Sequence, residues 1–265
     1  RFNQKNKSNN NNNIMVNPQD INLNIREIEK ENESHSDDNN YLSQMFYKNL
    51  ILNIIIILAF FVLIMLEFIY RRDLFTYSLT YEQNLQNSLS KNAILFFKIV
   101  SLLGGYVFIG LGLCFVFCYY PLNKSIILSV CLIFVVYLHD MMKLLYGDPR
   151  PFWVNTILFT DNCEISYGNP SGHSLVGFFF YTSLSYYICM LDNIKNNSTY
   201  KTGVYFAGII ISSLTAFSRL VLGVHSIDQV VYGSAIGIWL FFIFMYAFKI
   251  YDMPLSYYLK FHKDK

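Results

Sequence analysis

Charge is scarce in this chain. Asp, Glu, Lys and Arg make up 14% of its 265 residues and nearly cancel, leaving a formal net charge of +2. The basic residues form no stripe or cluster, which argues against a nucleic-acid partner. Cysteine is no better placed for structural work. Cys114, Cys118, Cys131 and Cys189 fall inside apolar runs, and only Cys163 lies in a sizeable loop. That pattern offers neither a disulfide framework nor zinc-ligand spacing, so the first four read as small buried hydrophobes. There is no internal repeat. A cleavable signal peptide is also not expected, because the first apolar block lies too far in and is too long, and reads as a membrane anchor. Arg1 stands where a methionine would begin a full chain, so the true N-terminus is left open.

What is abundant is apolar surface. Hydrophobic residues make up 54% of the chain and the mean hydropathy is +0.32. They come in runs long enough to cross a bilayer, which takes roughly 17–25 residues. The runs lie at about 50–70, 97–119, 125–142, 174–191, 203–221 and 228–250. The expected fold is all-α, an integral membrane bundle of about six transmembrane helices spanning 45–254. Residues 1–44 read as a disordered, Asn-rich tail, because few apolar residues are there to offset the entropy of folding. Residues 255–265 read as a short C-terminal tail. Residues 71–93 read as a polar loop, 120–124 as a turn, and 143–173 as the longest internal loop. Tyr119, Tyr120, Tyr146 and Tyr251 sit at run ends, as an interfacial belt would have them. Gly233 and Gly237 form a G-x-x-x-G in the last run, and Gly104, Gly105, Gly110 and Gly112 lie in the second. Small residues let helices approach closely, and a packing role is expected for them.

Three short motifs stand at the ends of these runs. They are Lys143 through six residues to Arg150-Pro151; Pro170-Ser171-Gly172-His173; and Ser218-Arg219, five residues, then His225. Counting spans puts all three on the face opposite the N-terminus. Fixed cations and histidines are what phosphoryl transfer requires, since its catalysis is positioning plus stabilisation of charge on the equatorial oxygens. Arg150 and Arg219 supply planar donor forks, and Lys143 a compact charge. Ser171 and Gly172 stand at the start of a helix, whose free N–H groups attract an anion. His173 projects into the same place. His225 is the candidate nucleophile, provided an acceptor on its other ring nitrogen fixes the tautomer. Asp228 and Gln229, one helical turn on, are alternatives for that acceptor.

Blander readings apply to single residues. A lone histidine at a span end is commonly a capped interfacial residue, and His139 and His262 stay in that class. Asp140 with Lys143, and Glu67 with Arg71, read as local helix pairs. Arg150-Pro151 alone would be a loop turn.

The joint pattern resembles the type 2 phosphatidic acid phosphatase superfamily, which includes bacterial acid phosphatases, glucose-6-phosphatase and vanadium haloperoxidases. The resemblance covers residues 143–237 by motif and about 48–250 by layout. It implies His225 as a nucleophile forming a phosphohistidine and His173 as the acid for the leaving oxygen. It implies that Lys143, Arg150, Ser171, Gly172 and Arg219 hold the phosphate. No metal and no cofactor are implied. The acid expected four residues after His225 is replaced by Gln229, with Asp228 one residue earlier, so which of the two orients His225 stays open. Arg150 to Val154 and Cys163 to His173 also resemble the glucose-6-phosphatase branch.

The expected activity is therefore that of a membrane-embedded, metal-independent phosphatase acting on a lipid phosphate or diphosphate. The alternatives are a sugar-phosphate hydrolase and a non-catalytic protein that binds or transports a lipid phosphate. The expected partners are the phosphate ester and membrane lipids, with no nucleic acid and an open oligomeric state. The spread of lysines favours a cytosolic N-terminus and a lumenal or extracellular site. Sequons at Asn6, Asn32, Asn123, Asn196 and Asn197 point the other way. Endoplasmic reticulum or another endomembrane is the expected location.

Overall fold

The structure is a computed structural model, and it describes residues 50–160, 164–191 and 196–247, with side chains for 54–160, 164–191 and 196–245. The tails, Cys163, Tyr251 and His262 lie outside the described residues. Contacts divide the chain after Leu50 into an N-terminal unit and the unit Ile51–Lys265, which carries the helices described below.

The described residues form helices and no strand. They are α1 (Leu50–Ser88), α2 (Lys91–Ser101), a 3₁₀ turn (Leu102–Gly104), α3 (Tyr106–Tyr119) and α4 (Leu122–Tyr146). After them come the single-turn α5 (Pro151–Val154), α6 (Gly172–Cys189), α7 (Ser198–Val221) and α8 (Ile227–Phe242), which runs into a π turn (Ile243–Ala247). Local chemistry sets many of the ends. Ser90 caps α2 by accepting from the Ala93 amide, and Asn197 caps α7 by accepting from Thr199 and Tyr200. Gly147 ends α4 in the left-handed region, at φ 61°, where glycine is favoured. Pro151 opens α5 at a position where its missing N–H costs nothing.

Among the described residues, four segments are long and apolar enough to cross a membrane: Ile54–Ser88, Leu122–Val154, Ser198–Val221 and Ile227–Met245. The segment expected as one span at 97–119 is bent by 46° between Gly104 and Tyr106, and counts as a fifth if the pair is one span. The run expected at 174–191 is α6, which is not in that set. Ser174, Ser183 and Ser185 lower its hydropathy, and it can carry them because they are buried among neighbouring helices rather than turned to lipid. Outward-facing Phe61, Phe68, Ile133, Leu145 and Phe206 give the bundle an apolar exterior.

Helix α6 is the central element. Phe179, Phe180 and Leu175 are fully buried and join Leu128, Val135, Ile236 and Leu240 in the main core. Close approach is bought with glycine. On α8, a Cβ at Gly233 would lie 2.7 Å from the Ser171 carbonyl oxygen, and one at Gly237 would overlap the Leu175 carbonyl. On α3, a Cβ at Gly112 would lie 2.5 Å from the Phe180 ring. Gly237→Ala therefore drives a methyl into backbone that has no rotamer to yield. The expected loss is about 1–3 kcal/mol, read as a lower thermal midpoint in detergent.

The expected polar loop at 71–93 is instead the second half of α1 up to Ser88, with only residues 89 and 90 between helices. At about 1.5 Å per residue its 39 residues span about 58 Å, nearly twice a bilayer core. Its polarity serves contacts rather than a loop. Gln86 donates to the Phe159 and Val221 carbonyls and accepts from the Phe159 amide. Ser78 Oγ accepts from the Ile227 amide at 2.9 Å and donates to Glu82 at 2.5 Å. The extension of α1 thus holds the loops that carry the motifs.

Candidate active site

The three motifs arrive from separate elements and meet. Lys143 stands in the last turn of α4, and Arg150 immediately precedes α5. Ser171, Gly172 and His173 open α6; Arg219 lies in the last turn of α7; His225 lies in the connection to α8.

Arg150 is fully buried and is the hub. Its Nε donates to the Ser166 carbonyl at 2.6 Å, and Nη1 donates to the Val224 carbonyl at 3.0 Å. Nη1 also lies 3.2 Å from His225 Nε2. Nη2 donates to Ser166 Oγ at 3.0 Å and pairs with Glu164 Oε2 at 2.5 Å. Arg219, 2% exposed, donates from Nη1 to Ser101 Oγ at 2.7 Å and from Nη2 to Glu164 Oε1 at 3.0 Å. Lys143 Nζ donates to Ser166 Oγ at 3.2 Å.

The tautomer of His225 follows from its neighbours. Gln229 Nε2 donates to the Pro149 carbonyl at 2.8 Å, which turns Gln229 Oε1 toward His225. That oxygen accepts from the Ser226 amide at 3.3 Å and stands 3.2 Å from His225 Nδ1. Gln229, in the first turn of α8, reaches back to the Ser226 amide at the helix start, the N3 half of a capping box, so the amide is fixed by the helix itself. A carbonyl oxygen only accepts, so Nδ1 carries the proton and Nε2 keeps its lone pair on the arginine side. Burial, with Arg150, Arg219 and Lys143 nearby and His173 adding less, holds His225 well below its usual 6.5. Its Nε2 is therefore unprotonated at neutral pH. The unfolded chain takes up this proton near 6.5 and the folded chain only lower. The group's contribution to stability is thus present above that pH and is lost as pH falls.

Asp228, the alternative acceptor, makes no hydrogen bond to His225. It lines a separate cavity with Arg71, Arg72, Phe75, Thr76, Asp148 and Pro149.

Ser171 precedes α6 with its amide donating to the Gln229 carbonyl at 3.0 Å, and no side chain caps that helix. Its first N–H groups are the kind an anion satisfies. Gly172 packs on His139, whose Nε2 would lie 2.7 Å from a Cβ there. His173 lies against Gly104 at the bend before α3. A cavity of about 270 Å³ joins these groups. Its polar wall is His139, Asp140, Lys143, Glu164, Ser166, His173 and His225, and its apolar wall is Tyr106, Ile109, Val136 and Val176.

Residues 124–251 match the PAP2 superfamily. That match takes in 128 of the chain's 265 residues. Phosphatidylglycerophosphatase B of Bacillus subtilis is 34% identical over 80 residues, which are 30% of this chain and 38% of that protein. Dolichyldiphosphatase of Saccharomyces cerevisiae is 30% identical over 102 residues, 37% of this chain and 41% of that protein. These matches span about two-fifths of the curated relatives' length. The crystal structure of a transmembrane PAP2-type phosphatidylglycerolphosphate phosphatase from Bacillus subtilis superposes with a TM-score of 0.64 at 20% identity, covering 75% of this chain and 98% of that one. Aquifex aeolicus LpxE gives 0.50 at 22% identity, covering 62% and 92%. At these identities the two structures show the fold alone, a helical membrane bundle.

The PAP2 match begins at Lys124 in α4 and takes in every motif residue. Other residues around this site have no role assigned to them by the three motifs. Asp140 pairs with His139 Nδ1 at 2.9 Å rather than forming its main contact with Lys143. Arg71 pairs with Asp148 at 3.1 Å rather than with Glu67. Glu67 instead accepts from Asn169 Nδ2 at 2.6 Å, and Asp148 accepts from the same group at 2.9 Å. Asn169 is thereby tied to α1 one residue before the Pro170 segment. Glu164 and Ser166, which join the two arginines and Lys143, lie in the Cys163–His173 stretch whose resemblance assigns them no role.

Proposed function

We propose that this chain is a phosphatase that hydrolyses a lipid phosphate or diphosphate ester through a phosphohistidine on His225, without a metal. The observation that carries the reading is the fixed His225 Nε2, 3.2 Å from Arg150 Nη1, with Arg219 and Lys143 also close enough to act on the imidazole. The cavity behind it has an apolar side formed by Tyr106, Ile109 and Val136, which suits an ester whose alcohol is a lipid. The relatives named for phosphatidylglycerophosphate and dolichyl diphosphate favour the same substrate class.

In this mechanism His225 Nε2 attacks phosphorus. A P–N bond forms as the P–O bond to the lipid alcohol breaks, and His173 gives a proton to the departing oxygen. Burial, with Arg219, Lys143 and Arg150 nearby, lowers His173 to about 3 in the free site, so it carries that proton only once the negative charge of the bound phosphate offsets those cations. Neutral His173 then takes a proton from water, whose oxygen attacks phosphorus. The P–N bond breaks, and inorganic phosphate and neutral His225 are left. Arg150, Arg219 and Lys143 stabilise the charge on the equatorial oxygens throughout, and the Ser171 hydroxyl with the first amides of α6 supplies neutral donors. Gln229 holds the imidazole. The lysine distribution supports a lumenal or extracellular site.

The test is phosphate release by the full chain in membranes with chelator present. The panel holds phosphatidic acid, phosphatidylglycerophosphate, a polyprenyl diphosphate and glucose 6-phosphate. The expected result is chelator-resistant release from a lipid substrate, with acid-labile, base-stable labelled phosphate trapped on the chain. Exclusive release from glucose 6-phosphate would move the reading to a sugar-phosphate hydrolase. A folded chain inert on the whole panel would favour a binding protein.

A further inference from the structure

Both arginines of the cradle already hold an anion, and it belongs to the chain. Arg150 commits Nε and Nη1 to the Ser166 and Val224 carbonyls, and Arg219 commits Nη1 to Ser101. Arg219 Nε has no hydrogen-bond partner among the described residues. The outer end of each fork is Nη2, and both Nη2 groups are on Glu164, with Arg150 Nη2 also donating to Ser166 Oγ. One carboxylate oxygen meets Arg150 at 2.5 Å, and the other meets Arg219 at 3.0 Å. Glu164 also lines the cavity beside His225 and is itself about one-third exposed, so it reaches the cradle from the open side. An oxyanion bridging the same two forks is how a phosphate would sit.

We propose that Glu164 is an internal competitor for the phosphate cradle, and that it sets which anions can enter. The inference rests on the reading of Arg150 and Arg219 as phosphate ligands. A tethered carboxylate competes at an effective concentration on the order of millimolar. A phosphodiester brings one charge and two free oxygens, the same as the carboxylate, so exchanging one for the other gains nothing against the tether. A phosphomonoester brings about −1.5 to −2 charge and three acceptor oxygens. It replaces both Glu164 contacts and adds Lys143 and the first amides of α6. A site in a membrane is surrounded by diester headgroups at high local concentration. Glu164 keeps them out of the cradle while the dianionic monoester displaces it.

The experiment measures ligand-induced shifts of the thermal midpoint of the detergent-solubilised full chain, titrated with inorganic phosphate and separately with dimethyl phosphate. The expected result is that Glu164→Gln binds phosphate at least about tenfold tighter than the native chain, as loss of a millimolar-scale competitor requires. Dimethyl phosphate is expected to bind Glu164→Gln and not the native chain. Glu164→Asp, too short to bridge both forks but equally charged, is expected to fall between the two. Unchanged or weaker phosphate binding in the variants would overturn the inference and make Glu164 a brace for the arginines. So would native binding of the diester, or failure of both variants to fold. Phosphate binding to the native chain in those cases leaves the cradle reading standing. Phosphate binding to none of the chains removes the cradle and the inference together.

Discussion

His225→Ala is expected to lower phosphate release by at least about 10⁴-fold on every substrate the native chain accepts, because the group that forms the P–N bond is gone. The fold is expected to survive. Arg150 keeps its bonds to Val224, Ser166 and Glu164, and Gln229 Oε1 keeps the Ser226 amide. The void left is that of one imidazole beside an existing cavity, which water can enter. The thermal midpoint should therefore drop by only a few degrees, and phosphate should still shift it upward. Added imidazole can occupy the vacated place and attack phosphorus itself, so partial rescue by imidazole, with label appearing on the free imidazole, is the expected signature. Native-like release from the alanine variant would remove His225 as nucleophile. Loss of release together with loss of phosphate binding would make it a structural residue.

The parts of this site that were legible in the sequence are those whose chemistry requires a particular residue at a particular distance from a span end. Lys143, Arg150, His173, Arg219 and His225 carry charge or imidazole beside long apolar runs, where such groups are costly to place. Their convergence follows from helix parity, which the runs themselves set. The second half of α1 was not legible. From Arg71 to Ser88 it has no apolar stripe, and its helicity depends on bonds to backbone groups about 70 to 150 residues away, such as those of Gln86 and Ser78. Local pairing rules failed at Asp140 and Arg71 for a related reason. An i,i+3 or i,i+4 partner is worth only about 0.2–0.5 kcal/mol, and a better-placed neighbour outcompetes it. Glu164 lies in the Cys163–His173 stretch that carries a family resemblance, but that resemblance assigns it no role, because its contacts exist only once the ends of α4 and α7 are side by side.

The choice between Asp228 and Gln229 was also beyond spacing, since both lie within one turn of His225. What separates them is the direction of the first turn of α8. The bond from the Ser226 amide turns Gln229 back over the helix end, toward His225, while Asp228 faces Arg71 and Asp148. Gln229→Leu is therefore expected to reduce kcat by about 10³-fold or more, by analogy with the cost of the wrong imidazole tautomer in a catalytic triad. With no acceptor for Nδ1–H, the proton can move to Nε2 and the lone pair is lost to attack. A general packing defect would produce a similar loss, so Gln229→Glu is the discriminating variant. Its carboxylate still accepts from Nδ1–H and from the Ser226 amide, though it faces the Pro149 carbonyl without a proton to offer. Turnover is expected to remain well above that of the leucine variant. The added negative charge stabilises the imidazolium and raises the pKa of His225. At a given acidic pH a smaller fraction of His225 is then neutral, so the acid limb of kcat/KM moves to higher pH. An unshifted acid limb in Gln229→Glu, or undiminished kcat in Gln229→Leu, would mean that Gln229 caps α8 and does nothing for the imidazole.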